Sequence, residues 1–389
     1  VQLNQGQTAT IANIRAYRGE AILVGPAGTG KTTVIRNLVE HDTLLLAPTN
    51  AAAQVLSSKT GRKVLTVHKA FGLNPKEHDD FELAFELDGV ARFGEPVDYV
   101  CPAGVGRVIV DEASMIGDKM LAALRRASDN ILWVGDPAQL NPVKEEVSPV
   151  FKTDCPLFRL TKIERNSDPM WIQIASAIRQ GVSIEKVLDM VSPTEMTLDQ
   201  IAEDCSWGDS IALAYTNTAV NAINTLAHAK LDNSGLPFSP GEKVIAQGPH
   251  GLNIYNGQNM VIEAVGMSGR GENYMTVRID GETYHTPIDY ARWRNGLSAA
   301  WKQYHDLPRG AEKKALSDKL WGVKKATLEL KLGYAMTVHK SQGQTIENVI
   351  VLVDDLRRCR NPEEQRRLFY TAHTRASDTT TWATISPES

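Results

Sequence analysis

The nine residues Gly25, Pro26, Ala27, Gly28, Thr29, Gly30, Lys31, Thr32 and Thr33 narrow the possible folds more than any other stretch of the chain. The apolar run Ala21-Ile22-Leu23-Val24 precedes them, and Val34, Ile35, Leu38 and Val39 follow at helical spacing. The order is strand, glycine-rich turn, helix, so the turn matches G-x-x-x-x-G-K-[ST] in the setting that makes it a phosphate-binding loop rather than an ordinary turn. Glycines let successive backbone N–H groups converge on phosphate oxygens, and the helix start adds the positive end of its dipole. Lys31 would reach the β- and γ-phosphates, and Thr32 would offer its hydroxyl to Mg²⁺. The chain is expected to bind a nucleoside triphosphate.

At 389 residues the chain exceeds one ordinary core, so two or more domains are expected. Hydrophobic residues at 42% and charged residues at 23% fit a soluble globular protein. No apolar run is long enough to span a bilayer, and no signal-peptide pattern opens the chain. Its start at Val1 without a Met reads as trimmed or engineered. Cys101, Cys155, Cys205 and Cys359 form no C-x-x-C pair, which points to a reducing cytoplasm with neither zinc nor a disulfide framework. A net charge of −4 argues against indiscriminate nucleic-acid binding. Residues 301–389 nevertheless carry 15 Lys/Arg against 11 Asp/Glu. Clusters such as Lys313-Lys314, Lys324-Lys325 and Arg357-Arg358 read as solvated faces before they read as binding sites.

Short apolar runs at Ala21–Val24, Leu44–Leu46, Arg107–Val110 and Ile131–Val134 alternate with helical patterns, which predicts a parallel sheet with helices on both faces. Each run ends in polar residues, and ligands of such sheets collect at the carboxyl ends of the strands. Between Asn74 and Gly104 the pattern departs, with Asp88-Gly89 as a hairpin signal between two runs. A second α/β region begins with a strand over 210–215 and a helix over 217–231. Strand-like runs at 243–246, 257–265, 274–279 and 283–285 then predict a small β-barrel. A Lys-rich helical stretch near 298–326 leads back to a strand at 349–353.

Val108-Ile-Val-Asp111-Glu112 is an apolar strand ending in two carboxylates. After a phosphate loop, Asp111 suits Mg²⁺ and Glu112 suits a general base for the attacking water. Gln139 closes Gly135-Asp-Pro-Ala-Gln139, where a side-chain amide could sense the γ-phosphate, although Gly-Asp-Pro is also plain turn chemistry. A planar guanidinium suits the charge that develops on a transferred phosphoryl group, but an isolated Arg is usually a surface residue, so Arg165 and Arg375 are singled out only by the motifs around them.

The ordered set of motifs resembles the superfamily 1 helicases, nearest to the Dda-type phage and RecD-like group. Gly25–Thr33 resembles motif I, Ala47–Asn50 motif Ia, Thr66–Lys69 motif Ib and Val110–Met115 motif II. Gly135–Gln139 resembles motif III, Leu160–Ser167 motif IV, Gly333–Gly343 motif V and Tyr370–Ala376 motif VI. The resemblance implies an α/β fold of two RecA-like P-loop lobes. Lobe 1A would take residues 1–73 and 104–165, interrupted by a pin hairpin over 74–103. Lobe 2A would take 166–240 and 327–389, interrupted by an SH3-like β-barrel with a helical extension over 241–326.

It further implies ATP and Mg²⁺ as cofactors, with Gln7 reading adenine, Gly343 in the nucleotide site, and Arg165 and Arg375 completing that site on lobe closure. Thr49, Asn50, Thr66, His68, Thr337, His339 and Lys340 would contact single-stranded DNA. Relatives commonly carry an aromatic before the motif IV arginine; Glu164 stands here, leaving base selectivity to Gln7. A monomer unwinding forked duplex DNA 5′ to 3′ is implied, in replication, recombination or repair, in a bacterial or phage-infected cell. Single-strand-binding protein or replisome components are candidate partners, and a membrane is not. Two alternatives stay open: a translocase that strips proteins with little unwinding, and a nucleotide-gated binding module.

Overall fold

The computed structural model describes residues 3–70, 74–76, 84–87, 90–91, 104–141, 147–164, 166, 168–231, 235–248, 250, 254–269, 273–308 and 310–386. Two compact units emerge: Val1–Thr194 with Ser341–Ala383, and Glu195–Lys340 with Thr384–Ser389.

The first unit is built on a six-stranded sheet. Its strands run in the order Val64–Thr66, Thr43–Ala47, Arg107–Val110, Ile131–Gly135, Ala21–Val24, Leu157–Arg159. Every neighbouring pair is parallel. Ala21–Val24, the segment 108–110 and the segment 131–134 are apolar because both faces of the sheet are covered. Ile22, Val24, Val108, Val110 and Trp133 enter one cluster, while Ala21, Leu23, Ile109, Leu132 and Val134 enter another. That is the period-two alternation of a strand resolved into two cores. All four runs expected for this sheet are strands of it. The flanking strands Val64–Thr66 and Leu157–Arg159 have only three residues each.

Where the sequence departs from this pattern, Asn74–Lys76, Ala84–Leu87 and Val90–Ala91 form an antiparallel three-stranded sheet, with Leu87 opposite Val90. The expected turn at Asp88-Gly89, and Phe81, Phe93 and Cys101, lie outside the described residues.

The rest of the first unit includes the helices Pro169–Arg179 and Pro362–Arg375, the strand Ile346–Leu352 and, as far as Ala383, the strand Ala376–Ile385 parallel to it. Helix Pro362–Arg375 buries every residue from Arg367 to Arg375. Compactness therefore groups it with the phosphate-loop sheet, a different division from the lobe boundaries expected above.

The second unit contains the parallel strands Ser210–Ala214 and Ala335–Thr337, backed by helix Asn217–Leu231. Asn224 on that helix accepts from the Ala335 amide at 3.0 Å and donates to its carbonyl at 3.3 Å, fixing the strand. The expected barrel region holds two antiparallel three-stranded sheets around one core of Val244, Met260, Ile262, Met275, Val277 and Leu330. The run expected over 257–265 divides into Asn259–Val261 and Ala264–Met267. The Lys-rich stretch is two helices, Tyr290–Asp306 and Ala311–Ala326. Among the described residues no helix is long and apolar enough to cross a membrane.

Candidate active site

Strand Ala21–Val24 delivers the chain to the loop, and Gly28 and Gly30 turn it with φ of 82° and 81°. Left-handed backbone of this kind strains any residue with a Cβ. At Gly30 a Cβ would also stand 2.3 Å from Gln7 Nε2. Helix Lys31–Leu38 starts directly after it. Lys31 Nζ donates to the carbonyls of Gly25 at 2.8 Å and Pro26 at 3.1 Å, so the ammonium lies within the loop it is expected to serve. Thr32 and Thr33 occupy the first turn of that helix.

Gln7 is buried and spends both ends of its amide on the backbone. Its Oε1 accepts from Asn4 N at 3.1 Å, and its Nε2 donates to Thr29 O at 3.1 Å. Glu164, where an aromatic was the family expectation, donates its amide to Gly28 O at 2.8 Å and pairs with Lys162 at 2.9 Å. Arg165 lies outside the described residues.

Strand Arg107–Val110 ends at the two carboxylates. Burial first, then the Glu112 charge, raises Asp111 to about 7, against the pull of Lys31 and Lys59. Glu112 has φ 53°, a left-handed conformation that side chains rarely adopt, and its amide donates to Asp111 Oδ1 at 2.9 Å. Such strain costs on the order of 1–3 kcal/mol and concentrates at functional positions. Among the described residues no three His, Cys, Asp or Glu side chains gather as a metal cage. The donor set fits Mg²⁺ all the same, since that ion takes one or two carboxylates and fills its remaining positions with water and phosphate oxygens. Asp111 and Thr32 are the residues that would hold it.

Asp136, fully buried, is a hub that sequence reasoning passed over as turn chemistry. Tyr370 donates to its Oδ2 at 2.6 Å, the Ala138 amide donates to its Oδ1 at 3.2 Å, and Arg179 Nη1 lies 3.1 Å from the same oxygen. The Tyr370 oxygen also accepts from the loop amide of Ala27 at 3.3 Å. Arg367 donates to the Gln139 carbonyl at 2.8 Å and to that of Pro137, while Gln342 donates to Leu140 O at 3.2 Å. Motifs I, III and VI are thus stitched together inside one unit.

Gln139 is 3% exposed, and its Oε1 has no hydrogen-bond partner among the described residues. Arg375 is equally buried, with Nη1 on Gln344 O at 3.2 Å and Nε without a partner among the described residues. Burial lowers its pKa, with Glu112, Tyr370 and Asp136 pulling the other way, and guanidinium remains charged in proteins. Two orphaned polar atoms beside a phosphate loop and paired carboxylates are what a site awaiting a polar ligand presents. Gly343, with φ 76°, packs so closely that a Cβ would come within 2.9 Å of Ala52.

The expected DNA-contacting residues divide between the units. Thr49 caps helix Asn50–Thr60, accepting from Ala52 N at 3.2 Å, and Asn50 opens that helix. Thr66 accepts from Lys69 N at 3.1 Å, next to His68, whose pKa burial lowers. These four belong to the first unit. In the second unit, Thr337 accepts from Lys340 N at 3.3 Å and the exposed His339 lies 6.3 Å from the Tyr215 ring.

An AAA-domain family profile matches residues 2–195, and a UvrD-like helicase C-terminal domain profile matches residues 332–380. The ATP-dependent DNA helicase Dda of Enterobacteria phage T4 is 23% identical, over 87% of this chain and 88% of its own. The ATP-dependent RecD2 DNA helicase of Deinococcus radiodurans is 26% identical over 97% of this chain, which spans 48% of that longer protein. In fold the chain is similar to Pif1 helicase from Bacteroides, solved with ADP-AlF3 and single-stranded DNA. The TM-score is 0.59 at 18% identity, covering 100% of this chain and 95% of that one. Pif1 from Candida albicans gives a TM-score of 0.60 at 15% identity, with the same coverage. The fold is therefore α/β with two RecA-like lobes, and the chain belongs to the superfamily 1 helicases, in the group that holds Pif1, Dda and the RecD-like proteins.

Proposed function

We propose that the chain is an ATP-driven motor that moves 5′ to 3′ on single-stranded DNA and opens a duplex in its path. Lys31 steadies the β- and γ-phosphates, Thr32 and Asp111 hold Mg²⁺, and Glu112 takes the proton of the attacking water. Gln139 reports the state of the γ-phosphate, Arg375 meets the charge that develops on it, and Arg165 adds a second guanidinium. Gln7 and Gly343 flank the base and the phosphates. Thr49, Asn50, Thr66 and His68 grip the strand from one lobe, and Thr337, His339 and Lys340 from the other. Lobe 1A comprises 1–73 and 104–165, lobe 2A 166–240 and 327–389, the pin 74–103 and the accessory barrel 241–326.

The observation that carries this reading is the Tyr370 hydroxyl, which touches the phosphate loop at Ala27 and motif III at Asp136. A change at the phosphates reaches the helix that ends in Arg375 through that contact. Opening one base-pair step costs roughly 1.4 kcal/mol, which the hydrolysis of one ATP exceeds several times over. The test is ATP turnover with and without single-stranded DNA, then unwinding of forks bearing a 5′ or a 3′ tail. Strand-stimulated turnover with unwinding from the 5′ tail is expected. Turnover indifferent to DNA would refute the motor, and unwinding from the 3′ tail alone would refute the direction.

A further inference from the structure

Two features of the second unit are left without a role by the site described above: an excess of cations and a pair of barely buried helices. Between residues 290 and 326 the sequence holds nine Lys/Arg and three Asp/Glu, in a chain whose total is −4. Helix Tyr290–Asp306 buries no residue, and helix Ala311–Ala326 buries Leu320 alone. Helices with so little burial are marginal on their own. The first is moored at its base, where Trp293 Nε1 donates to Tyr274 OH at 3.0 Å and Tyr290 OH donates to Glu329 at 3.0 Å. Beyond that base the helices hold each other by aromatic edges. Trp301 lies 5.6 Å from Trp321 and 5.4 Å from Tyr304, both edge-on.

We infer that this helical hairpin is a docking surface for the phosphate backbone of duplex DNA. The inference deepens the proposed motor by naming the element that holds the duplex arm. Lys302, Lys314, Lys319 and Lys325 are all exposed. Lys314, Trp321 and Lys325 follow one another at seven and four residues, so they share a stripe of their helix. Each helix is about 25 Å long at 1.5 Å per residue. Duplex DNA presents a charge about every 1.7 Å of axis, which a straight row of cations meets at many points.

A single strand would need open ring faces on which bases stack. Here Lys313 Nζ sits 4.8 Å from the Tyr304 ring centre and Lys324 Nζ 5.9 Å from that of Trp321, while Trp301 takes the edges of its neighbours. The Trp321 ring stays 46% exposed, but it stands alone among the exposed ammonium groups of Lys302, Lys314, Lys319 and Lys325, a surface that reads phosphates and favours the duplex.

The experiment joins Lys302→Gln, Lys314→Gln, Lys319→Gln and Lys325→Gln in the full chain. Binding to a blunt duplex without nucleotide is measured across a salt series. Affinity is expected to fall at least tenfold, and the slope of log K against log salt to fall by about 3 to 4, near 0.9 for each lost phosphate contact. ATP turnover stimulated by single strands is expected to stay within about twofold, because these lysines touch no motif. A double variant, Lys314→Gln with Lys325→Gln, is expected to give about half that change in slope, and it carries the test if four substitutions unfold the protein. Unchanged duplex affinity and slope would overturn the inference, as would an equal loss for single strands. A loss confined to a poly-glutamate peptide would overturn it too, in favour of an acidic protein partner. Failure of the motor reading is seen separately, as DNA-indifferent turnover in the unaltered protein.

Discussion

Tyr370 and Asp136, 234 positions apart, meet in a 2.6 Å hydrogen bond between a phenol and a fully buried carboxylate. Burial, with Asp136 beside it, pushes the Tyr370 hydroxyl far above the ordinary phenol range, so it stays a donor at any working pH. Replacing it as Tyr370→Phe keeps the ring and removes the bridge. The carboxylate then loses one of its partners, keeping the Ala138 amide and Arg179, at a cost of about 1–3 kcal/mol. ATP turnover is expected to fall roughly ten- to a hundredfold, with a lower melting temperature. Steady-state kinetics and thermal unfolding check both, and unchanged turnover would show the bridge to be structural alone.

Lys31→Ala is expected to abolish hydrolysis while the chain stays folded, and near-normal turnover would refute the assignment of the loop. Arg375→Ala is expected to differ in kind. A guanidinium acting on developing charge is worth about 10³-fold or more in turnover, with little effect on ground-state binding. Nucleotide affinity measured beside kcat/KM separates the two: losses of equal size would contradict the role.

The left-handed backbone of Glu112 makes a prediction about stability. Glu112→Gly relieves the strain and Glu112→Gln retains it, while both lose the carboxylate. The glycine form is expected to be more stable than the glutamine form by about 1 kcal/mol, and both to be inactive. Denaturant titration of the pair reads the difference. A glutamine form as stable as the glycine form would mean that the conformation costs nothing.

His373 gives the chain an acid limit. It is 1% exposed, stacks on Trp171 at 4.8 Å and shares a hydrogen bond with Trp171 O at 3.0 Å. Burial lowers its pKa from 6.5 to about 4. Between those values the unfolded chain binds the proton and the folded chain does not, so stability rises with pH across the window. Acidification from 6.5 to 4 is expected to remove about 3 kcal/mol through this group. Unfolding free energies measured through the window should fall less steeply for His373→Asn, and parallel curves would assign the acid loss elsewhere.

The strands around the loop were legible because a sheet covered on both faces needs unbroken apolar runs, as Ala21–Val24 and Ile131–Gly135 have. Val64–Thr66 and Leu157–Arg159 were not: each has three residues and lies at a margin of the sheet. Glu263 explains the divided run. It leaves the ladder between Val261 and Ala264 to pair with Arg278 at 3.0 Å and to accept from Gly281 N at 3.1 Å. At the site, motif spacing pointed to Lys31, Asp111, Glu112, Gln139 and Arg375, whose chemistry is local. Asp136 stayed hidden because Arg179 and Tyr370 reach it from distant positions, and Gly-Asp-Pro is sufficient as a turn.

Gln7 carries a further implication. One end of its amide closes the cap on the helix that begins beside Asn4, and the other holds Thr29 in the phosphate loop. The opening residues thus act as a mooring line for the fuel pocket. Trimming or tagging that dislodges Asn4 should slacken the loop from a distance, altering how tightly the motor holds its nucleotide while every motif residue stays intact.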